Sequence, residues 1–153
     1  MSPDWMSEAL ILAQKAASED EVPVGAVIIH AGQIVGRGYN LRETLNLPTA
    51  HAEIRAIEDA AKNLKSWRLN DAILYVTLEP CPMCLAASQQ ARIGKIIYGA
   101  TDPKGGALTL GYRLHEDVRT NHRFAVEHEN HAACSQILSD FFAKKRKNLS
   151  SPD

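Results

Sequence analysis

The sequence predicts an α/β fold with three layers, in which a mixed sheet of about five strands lies between two layers of helices. The main observation is that an initial β-hairpin is followed by strands that alternate with amphipathic helices, as in sheets covered on both faces. In addition, the chain has 153 residues, of which 45% are hydrophobic, enough for one continuous core. We therefore expect a single domain over residues 1–153.

The first elements follow from two different periodicities. Apolar residues recur at helical spacing over residues 5–18, which predicts an amphipathic helix. Residues 22–30 and 33–40 are rich in β-branched side chains and are separated only by Ala31 and Gly32. Such a short connection between two apolar runs indicates a β-hairpin.

The rest of the chain alternates between helical and extended patterns. The spacing of apolar residues predicts three further helices, one beginning beside His51, one opening at Pro82 and a closing one over 133–142. Between and after them, apolar and β-branched runs predict strands over 72–79, 95–101 and 123–129. Residues 102–121 contain glycines and match neither period. Both internal helices therefore begin after an extended or polar stretch, where active sites of α/β proteins usually lie.

Two short motifs open these helices and carry metal-binding chemistry. The first, T-A-H-A-E, contains His51, and the second, E-P-C-P-M-C, contains Cys81 and Cys84. Zinc prefers thiolate and imidazole ligands, and a catalytic zinc has three protein ligands with its fourth position open to water. No fourth ligand in an equivalent position is apparent. The pattern therefore predicts a catalytic zinc site.

Glu53 stands two residues after His51, in the same first helical turn. A carboxylate there can take a proton from a zinc-activated water and pass it to the substrate. A lone glutamate in a first turn is more often a favourable partner of the helix dipole. Because Glu53 accompanies His51 and the cysteine pair, we interpret it as the general acid-base residue.

Two alternatives exist for the cysteine pair. A thioredoxin-like redox site would leave His51 and Glu53 without a role, and a structural zinc site requires a fourth ligand. Three cysteines in total also argue against a disulfide framework. These readings are therefore less favoured than a catalytic metal site.

Composition limits the location and partners of the protein. No apolar run reaches the roughly 18 residues of a membrane span, and the N-terminus lacks the pattern of a secretory signal. We expect a cytoplasmic protein without membrane association.

The formal net charge of -1 gives no long-range attraction for nucleic acid, but cations concentrate near the C-terminus, in a helix end and tail at about 143–153. Such a run is also typical of a solvated helix end.

The two motifs together resemble a known signature. H-x-E followed by P-C-x-x-C is found in zinc nucleobase deaminases, and here it is His51–Glu53 with Pro80–Cys84. Further stretches resemble the bacterial tRNA adenosine deaminases over roughly Glu8 to Arg146. They are V-P-V-G-A-V, P-T-A-H-A-E-I, L-Y-V-T-L-E-P-C, R-I-G-K-I-I-Y-G-A, N-H-R and L-S-D-F-F.

This resemblance implies a homodimer with a cytidine-deaminase-like fold. Its activity would be the hydrolytic conversion of adenosine to inosine at wobble position 34 of tRNA, at an amidine C–N bond, with the anticodon stem-loop as partner. One Zn²⁺ per subunit would be held by His51, Cys81 and Cys84, and Glu53 would move protons during attack on C6 of adenine. The resemblance also implies substrate-binding positions, which are Asn40, Val24, Ala52, Pro80, Asp102 and Lys104.

Some positions depart from the family pattern or have another explanation. After Gly106 relatives commonly have small residues, whereas this chain has Ala107-Leu108-Thr109-Leu110, and Arg42 stands where relatives often have proline. An asparagine that follows a strand, as Asn40 does, is usually a turn residue. Two other functions remain open: a deaminase of free nucleobases or nucleosides such as guanine, cytosine or adenosine, and a non-catalytic zinc-stabilised interaction domain.

Overall fold

The structure, a computed structural model, describes the backbone of residues 3–150 and the side chains of residues 3–149. The helices are α1 (Trp5–Ser18), α2 (Arg42–Leu45), α3 (Ala52–Leu64), α4 (Pro82–Gln90) and α5 (Ala132–Ser150). The strands are β1 (Gly25–His30), β2 (Gln33–Tyr39), β3 (Ile73–Val76), β4 (Lys95–Tyr98) and β5 (Ala125–His128). A short 3-10 helix covers Leu114–Glu116.

The strands form one mixed sheet in the order β2-β1-β3-β4-β5. β1 pairs antiparallel with both β2 and β3, whereas β3, β4 and β5 run parallel. The hairpin turn at Ala31 and Gly32 has φ values of 51° and 75°, the left-handed conformation that matches the twist of paired strands. The predicted five-stranded mixed sheet is therefore confirmed.

Helices cover both faces of the sheet, because alternate strand residues point to opposite sides. On one face, Ile28 and Leu74 pack against α3 and α4. On the other face, Val27 and Ile97 pack against α1, and Cys134 of α5 completes that cluster. The three-layer arrangement predicted from the alternation of elements is confirmed.

The strands are shorter than the apolar runs that predicted them. β1 begins at Gly25 and not at residue 22, and β3 ends at Val76 although the run continues to residue 79. Proline has no N–H to donate to a sheet ladder, and Pro23 and Pro80 stand beyond these two ends. Four residues of these runs that lie beyond the strand ends, Val22, Val24, Leu78 and Glu79, instead line a cavity at the edge of the sheet.

Several local features were not predicted. α2 lies in the polar stretch before His51, where no element was predicted, and the 3-10 helix lies within residues 102–121, which matched neither period. Both are too short to show a helical repeat in sequence. α5 extends beyond the predicted 133–142 and includes the basic run, so that this run is a helix end, and residues 151–153 of the predicted tail lie outside the described residues. None of the helices within residues 3–150 combines the length and apolarity needed to cross a membrane.

Candidate metal centre and active site

The site lies at one edge of the sheet, where four strand ends meet. Register aligns Tyr39, at the end of β2, with Gly25, at the start of β1. The ends of the parallel strands, Val76 and Tyr98, pair with each other at the same edge. Helices α3 and α4 begin at this edge, so it is where an α/β sheet usually binds its ligands.

His51, Cys81 and Cys84 converge at the N-termini of α3 and α4. His51 Nδ1 lies 3.6 Å from Cys81 Sγ and 3.4 Å from Cys84 Sγ, and one ligand atom of each residue lies within 4.8 Å of the others. Bonds of about 2.3 Å to sulfur and about 2.0 Å to nitrogen in a tetrahedron separate ligand atoms by about 3.5–3.8 Å. The observed spacing and the S, S, N donor set therefore fit one zinc ion.

The helix ends also favour the thiolate form that a metal needs. His51 is the N-cap of α3 and Cys81 is the N-cap of α4, and neither helix has a side-chain cap on its first N–H groups. The hydrogen bond from Cys84, with a smaller contribution from the hydrogen bond to His51, lowers the pKa of Cys81 to about 4. The same contact with Cys81, together with burial, raises the pKa of Cys84. A bound divalent cation would overcome that asymmetry, because coordination requires both thiolates.

Glu53 occupies the first turn of α3 with its carboxyl group buried. Its side chain is only 4% exposed, and burial, with a smaller contribution from the negative Cys81, raises the pKa of Glu53 to about 7. A carboxyl group with a pKa near neutrality can both accept and donate a proton in the physiological range. Glu53 is therefore suited to acid-base chemistry at this site.

His51, Cys81 and Glu53 line a cavity of about 190 Å³. That volume is below the range of about 300–1,000 Å³ typical of sites for drug-sized ligands, and it suits a single base. Four of the positions expected to bind substrate line the cavity together with His51, Glu53 and Cys81; they are Val24, Asn40, Ala52 and Asp102. Pro80 is buried outside the lining, where its carbonyl accepts a hydrogen bond from Ala107 N at 2.8 Å, and Lys104 lines a neighbouring groove.

Asn40 both lines the cavity and fastens the turn after β2. Its Nδ2 donates to the Val22 carbonyl at 3.2 Å, and its Oδ1 accepts from Arg42 N at 3.2 Å. The turn function considered from sequence is thus present. The nitrogen and the oxygen of this amide can each make one further hydrogen bond, since Nδ2 has a second proton and Oδ1 has a second lone pair.

Sequence reasoning missed four residues in the cavity wall. They are Val22, Arg42, Leu78 and Glu79. Val22 and Leu78 were interpreted as strand residues, although they lie beyond the strand ends. Glu79 stands immediately before P-C-P-M-C, and an acidic residue inside an otherwise apolar run was the available signal.

Comparison with known proteins agrees with this geometry. The family model described as MafB19-like deaminase matches residues 2–146. The tRNA-specific adenosine deaminase of Bacillus subtilis (strain 168) is 45% identical over 148 residues, which cover 94% of this chain and 89% of the relative. The chain belongs to the tRNA-specific adenosine deaminase family. The resemblance drawn from the two motifs is therefore confirmed.

Solved structures place this family member among deaminases with the same fold. One similar structure comes from a study of A-to-I editing by tRNA:A34 deaminases at the wobble position of transfer RNA. Its chain shares 44% sequence identity with this one, and the two superpose with a TM-score of 0.81 over 87% of this chain and 97% of that chain. The guanine deaminase from Bacillus subtilis is 32% identical, with a TM-score of 0.61 over 92% of this chain and 91% of that chain. The cytidine-deaminase-like fold expected for the family is confirmed.

Proposed function

We propose that this chain is a zinc-dependent hydrolase that converts adenosine to inosine at wobble position 34 of tRNA. The observation that carries the proposal is the convergence of a zinc-compatible S, S, N group and the buried Glu53 carboxyl group at one small cavity. Family membership at 45% identity to a tRNA-specific adenosine deaminase supports the same conclusion. His51, Cys81 and Cys84 are the proposed ligands of one Zn²⁺ per subunit.

The reaction consumes one water and releases ammonia. A zinc ion held by His51, Cys81 and Cys84 would acidify a water, the nucleophile that a hydrolysis at C6 of adenine requires. Glu53 accepts the proton that this water loses and delivers it to the base, so that the C6–N bond breaks with ammonia as the leaving group. The near-neutral pKa of Glu53, raised by burial to about 7, suits both transfers.

The cavity walls orient the base in this proposal. Asn40 offers its remaining amide proton and lone pair to the base edge, and Val24 contributes an apolar wall. Ala52, in the uncapped first turn of α3, provides a backbone N–H at the cavity. A base must leave its stack to enter so small a space, and extrusion costs least in an unpaired loop.

A groove beside the cavity supports RNA over a free base. It has a volume of about 630 Å³ and lies between α5 and the segment that follows β4, with Asp102 lining both groove and cavity. Lys104 and Arg146 also line it, and Phe142, another lining residue, is 43% exposed. Two cations beside an exposed aromatic ring suit a single-stranded RNA, through phosphate contacts and base stacking. The overall charge of -1 thus conceals a locally basic surface.

We further propose that the chain works as a homodimer in the cytoplasm. The family resemblance implies the dimer, and exposed apolar side chains support it: Leu110, Tyr112 and Val118 are 51%, 55% and 82% exposed. Sedimentation velocity at micromolar concentration should give twice the monomer mass of 16.8 kDa. A monomer under these conditions would contradict the dimer without affecting the proposed chemistry.

The substrate is tested with the purified, zinc-loaded protein. An anticodon stem-loop with adenosine at the wobble position should yield inosine and ammonia, whereas free adenosine, guanine, cytosine and cytidine should yield little. The matched stem-loop with guanosine at that position is the control. Turnover of guanine in place of the stem-loop would instead favour the second candidate, which the similarity to guanine deaminase supports.

The RNA groove is tested by removing its cations separately. Lys104→Ala and Arg146→Ala should each raise KM for the stem-loop and reduce the slope of log KM against log salt by about one. Lys144→Ala is the matched control, because Lys144 lies on the same helix outside the lining of the groove. Lys145 is unsuitable for this test, since its Nζ already pairs with Asp20 at 2.9 Å.

A further inference from the structure

Glu79 is a buried carboxyl group without a part in the metal group or the proton transfer. It stands between β3 and the Pro80 that precedes the first cysteine ligand, and it is only 2% exposed. A carboxylate removed from water requires hydrogen bonds from protein donors. The identity of those donors indicates what Glu79 does.

Within the part of the chain that the structure describes, all side-chain hydrogen bonds of Glu79 come from residues 102–109, the segment that follows β4. Asp102 N donates to Oε1 at 3.1 Å, Thr109 N donates to Oε2 at 2.9 Å, and the Thr109 hydroxyl donates to Oε1 at 2.8 Å. The two ends of the segment are therefore joined through one carboxylate. Hydrogen bonds to a charged acceptor are about twice as strong as neutral ones.

The middle of the segment also lies against Glu79. A Cβ at Gly106 would stand 2.2 Å from the Glu79 carboxyl group, so any larger residue there would have to displace that carboxyl group. Ala107 N donates to the Pro80 carbonyl at 2.8 Å, one residue farther along each chain segment. The segment thus closes over the turn that delivers Cys81 to the metal group.

The same segment forms the junction between the cavity and the RNA groove. Asp102 lines both spaces, and Lys104 lines the groove. The Asp102 carboxylate organises the turn internally, because its Oδ1 accepts from Lys104 N at 3.1 Å and from Gly105 N at 3.0 Å. The internal turn does not fix the position of the segment relative to the cavity, and Glu79 supplies that attachment.

We propose that Glu79, bound by Thr109, is a positioning residue that holds segment 102–109 at the mouth of the cavity and so determines affinity for the RNA flanking the target base. The inference rests on the proposed function. The Thr109 hydroxyl supplies one of the three hydrogen bonds that join Glu79 to this segment.

Thr109 offers a sharper test than Glu79, because the residue is exposed and donates two of the three hydrogen bonds, one from its N–H and one from its hydroxyl. Thr109→Val removes the hydroxyl while keeping the shape of the side chain. Thr109→Ser keeps the hydroxyl and serves as the conservative variant. Glu79→Gln is the second variant. It replaces one carboxylate oxygen with an NH₂ group, which is a donor and would face another donor, so that at least one of the hydrogen bonds is lost.

The experiment measures kcat and KM for the wobble-adenosine stem-loop, with zinc content determined for each variant. Thr109→Val should raise KM about fivefold or more with kcat within about twofold of the unmodified protein, because uniform binding is lost. Thr109→Ser should restore KM, Glu79→Gln should raise it further, and zinc content should stay at one per subunit.

Two results would overturn the inference. An unchanged KM in Thr109→Val would do so, and so would a fall in kcat with loss of zinc, since that pattern indicates a purely structural role. Failure of the unmodified protein to deaminate the stem-loop is a different result, because it removes the proposed function and the inference together. Turnover by the unmodified protein with an unaffected Thr109→Val variant removes the inference alone.

Discussion

Gly38 of β2 lies directly against the backbone of Ala52 in α3. A Cβ at position 38 would stand 2.3 Å from the Ala52 carbonyl oxygen and 2.5 Å from Ala56 N. Real Cβ atoms do not approach backbone atoms this closely, so the absence of a side chain allows the helix to lie on the strand. Ala52 stands between His51 and Glu53, and the contact therefore positions the first turn that carries both.

Gly38→Ala should consequently damage both stability and the metal group. We expect the free energy of unfolding to fall by about 1–3 kcal/mol or more through overpacking, and zinc affinity to fall as the first turn of α3 shifts. Denaturant unfolding and zinc titration measure the two effects. Gly94→Ala is the control, because the nearest atom to its Cβ would be the Ala72 carbonyl oxygen at 3.2 Å, and an equal loss in both variants would contradict the explanation.

Glu53→Gln should abolish turnover while leaving the fold and the metal intact. The amide cannot accept the proton, and general acid-base catalysis contributes about 10²–10⁴ in rate, so kcat should fall at least that far. Zinc content and the midpoint of thermal unfolding should be preserved. Glu58→Gln, on the exposed face of the same helix, should retain full activity. Undiminished turnover by Glu53→Gln would remove this residue from the mechanism.

Removal of zinc should destabilise the protein. A ligand that binds only the folded state contributes about 2.7 kcal/mol when its concentration is 100 times Kd, so a chelator should lower Tm and added zinc should restore it. Cys84→Ala should be insensitive to the chelator, because one of the three proposed ligands is absent. Cys134→Ala is the matched control, since this buried cysteine packs between the sheet and α1, away from the proposed ligands. Its substitution should leave the response to the chelator unchanged.

Glu21 should stabilise the fold in a pH-dependent manner. Burial opposes its ionisation, but hydrogen bonds from the hydroxyl and N–H of Thr44 and from Glu43 N, together with the Arg42 charge, outweigh burial and lower the pKa of Glu21. A pKa lowered by folding contributes stability that is present above the unfolded value of 4.5 and is lost as the pH falls through the folded value.

Glu21→Gln should therefore reduce the free energy of unfolding by about 1–3 kcal/mol at pH 7, with a smaller difference below the unfolded pKa. Urea unfolding at several pH values measures this difference. Glu43→Gln is the control, because that neighbouring side chain is exposed. A Glu21→Gln difference that stays constant down to pH 3 would show that ionisation of Glu21 is not the cause.

Local patterns allowed much of the fold to be predicted. Helical and extended periods depend on neighbouring residues, so α1, α3, the hairpin and the parallel strands could be identified before their packing was known. The predicted start of β1 was too early and the predicted end of β3 was too late, because the runs that predicted them include residues 22–24 before β1 and residues 77–79 after β3. Val22, Val24 and Leu78, the aliphatic residues of these continuations, instead line the cavity.

The sequence by itself determined the chemistry of the site. His51 and Glu53 are two residues apart, and Cys81 and Cys84 are three apart, so each pair shares a first helical turn whatever the rest of the chain does. Tertiary structure alone decided that Cys81 Sγ lies 3.6 Å from His51 Nδ1, across 30 positions. It also decided that Asn40 lines the cavity and that Glu79 meets Thr109. These contacts depend on strand pairing and on the close approach of α3 to glycines in β2, and no local pattern specifies which strands pair or which helix lies on those glycines.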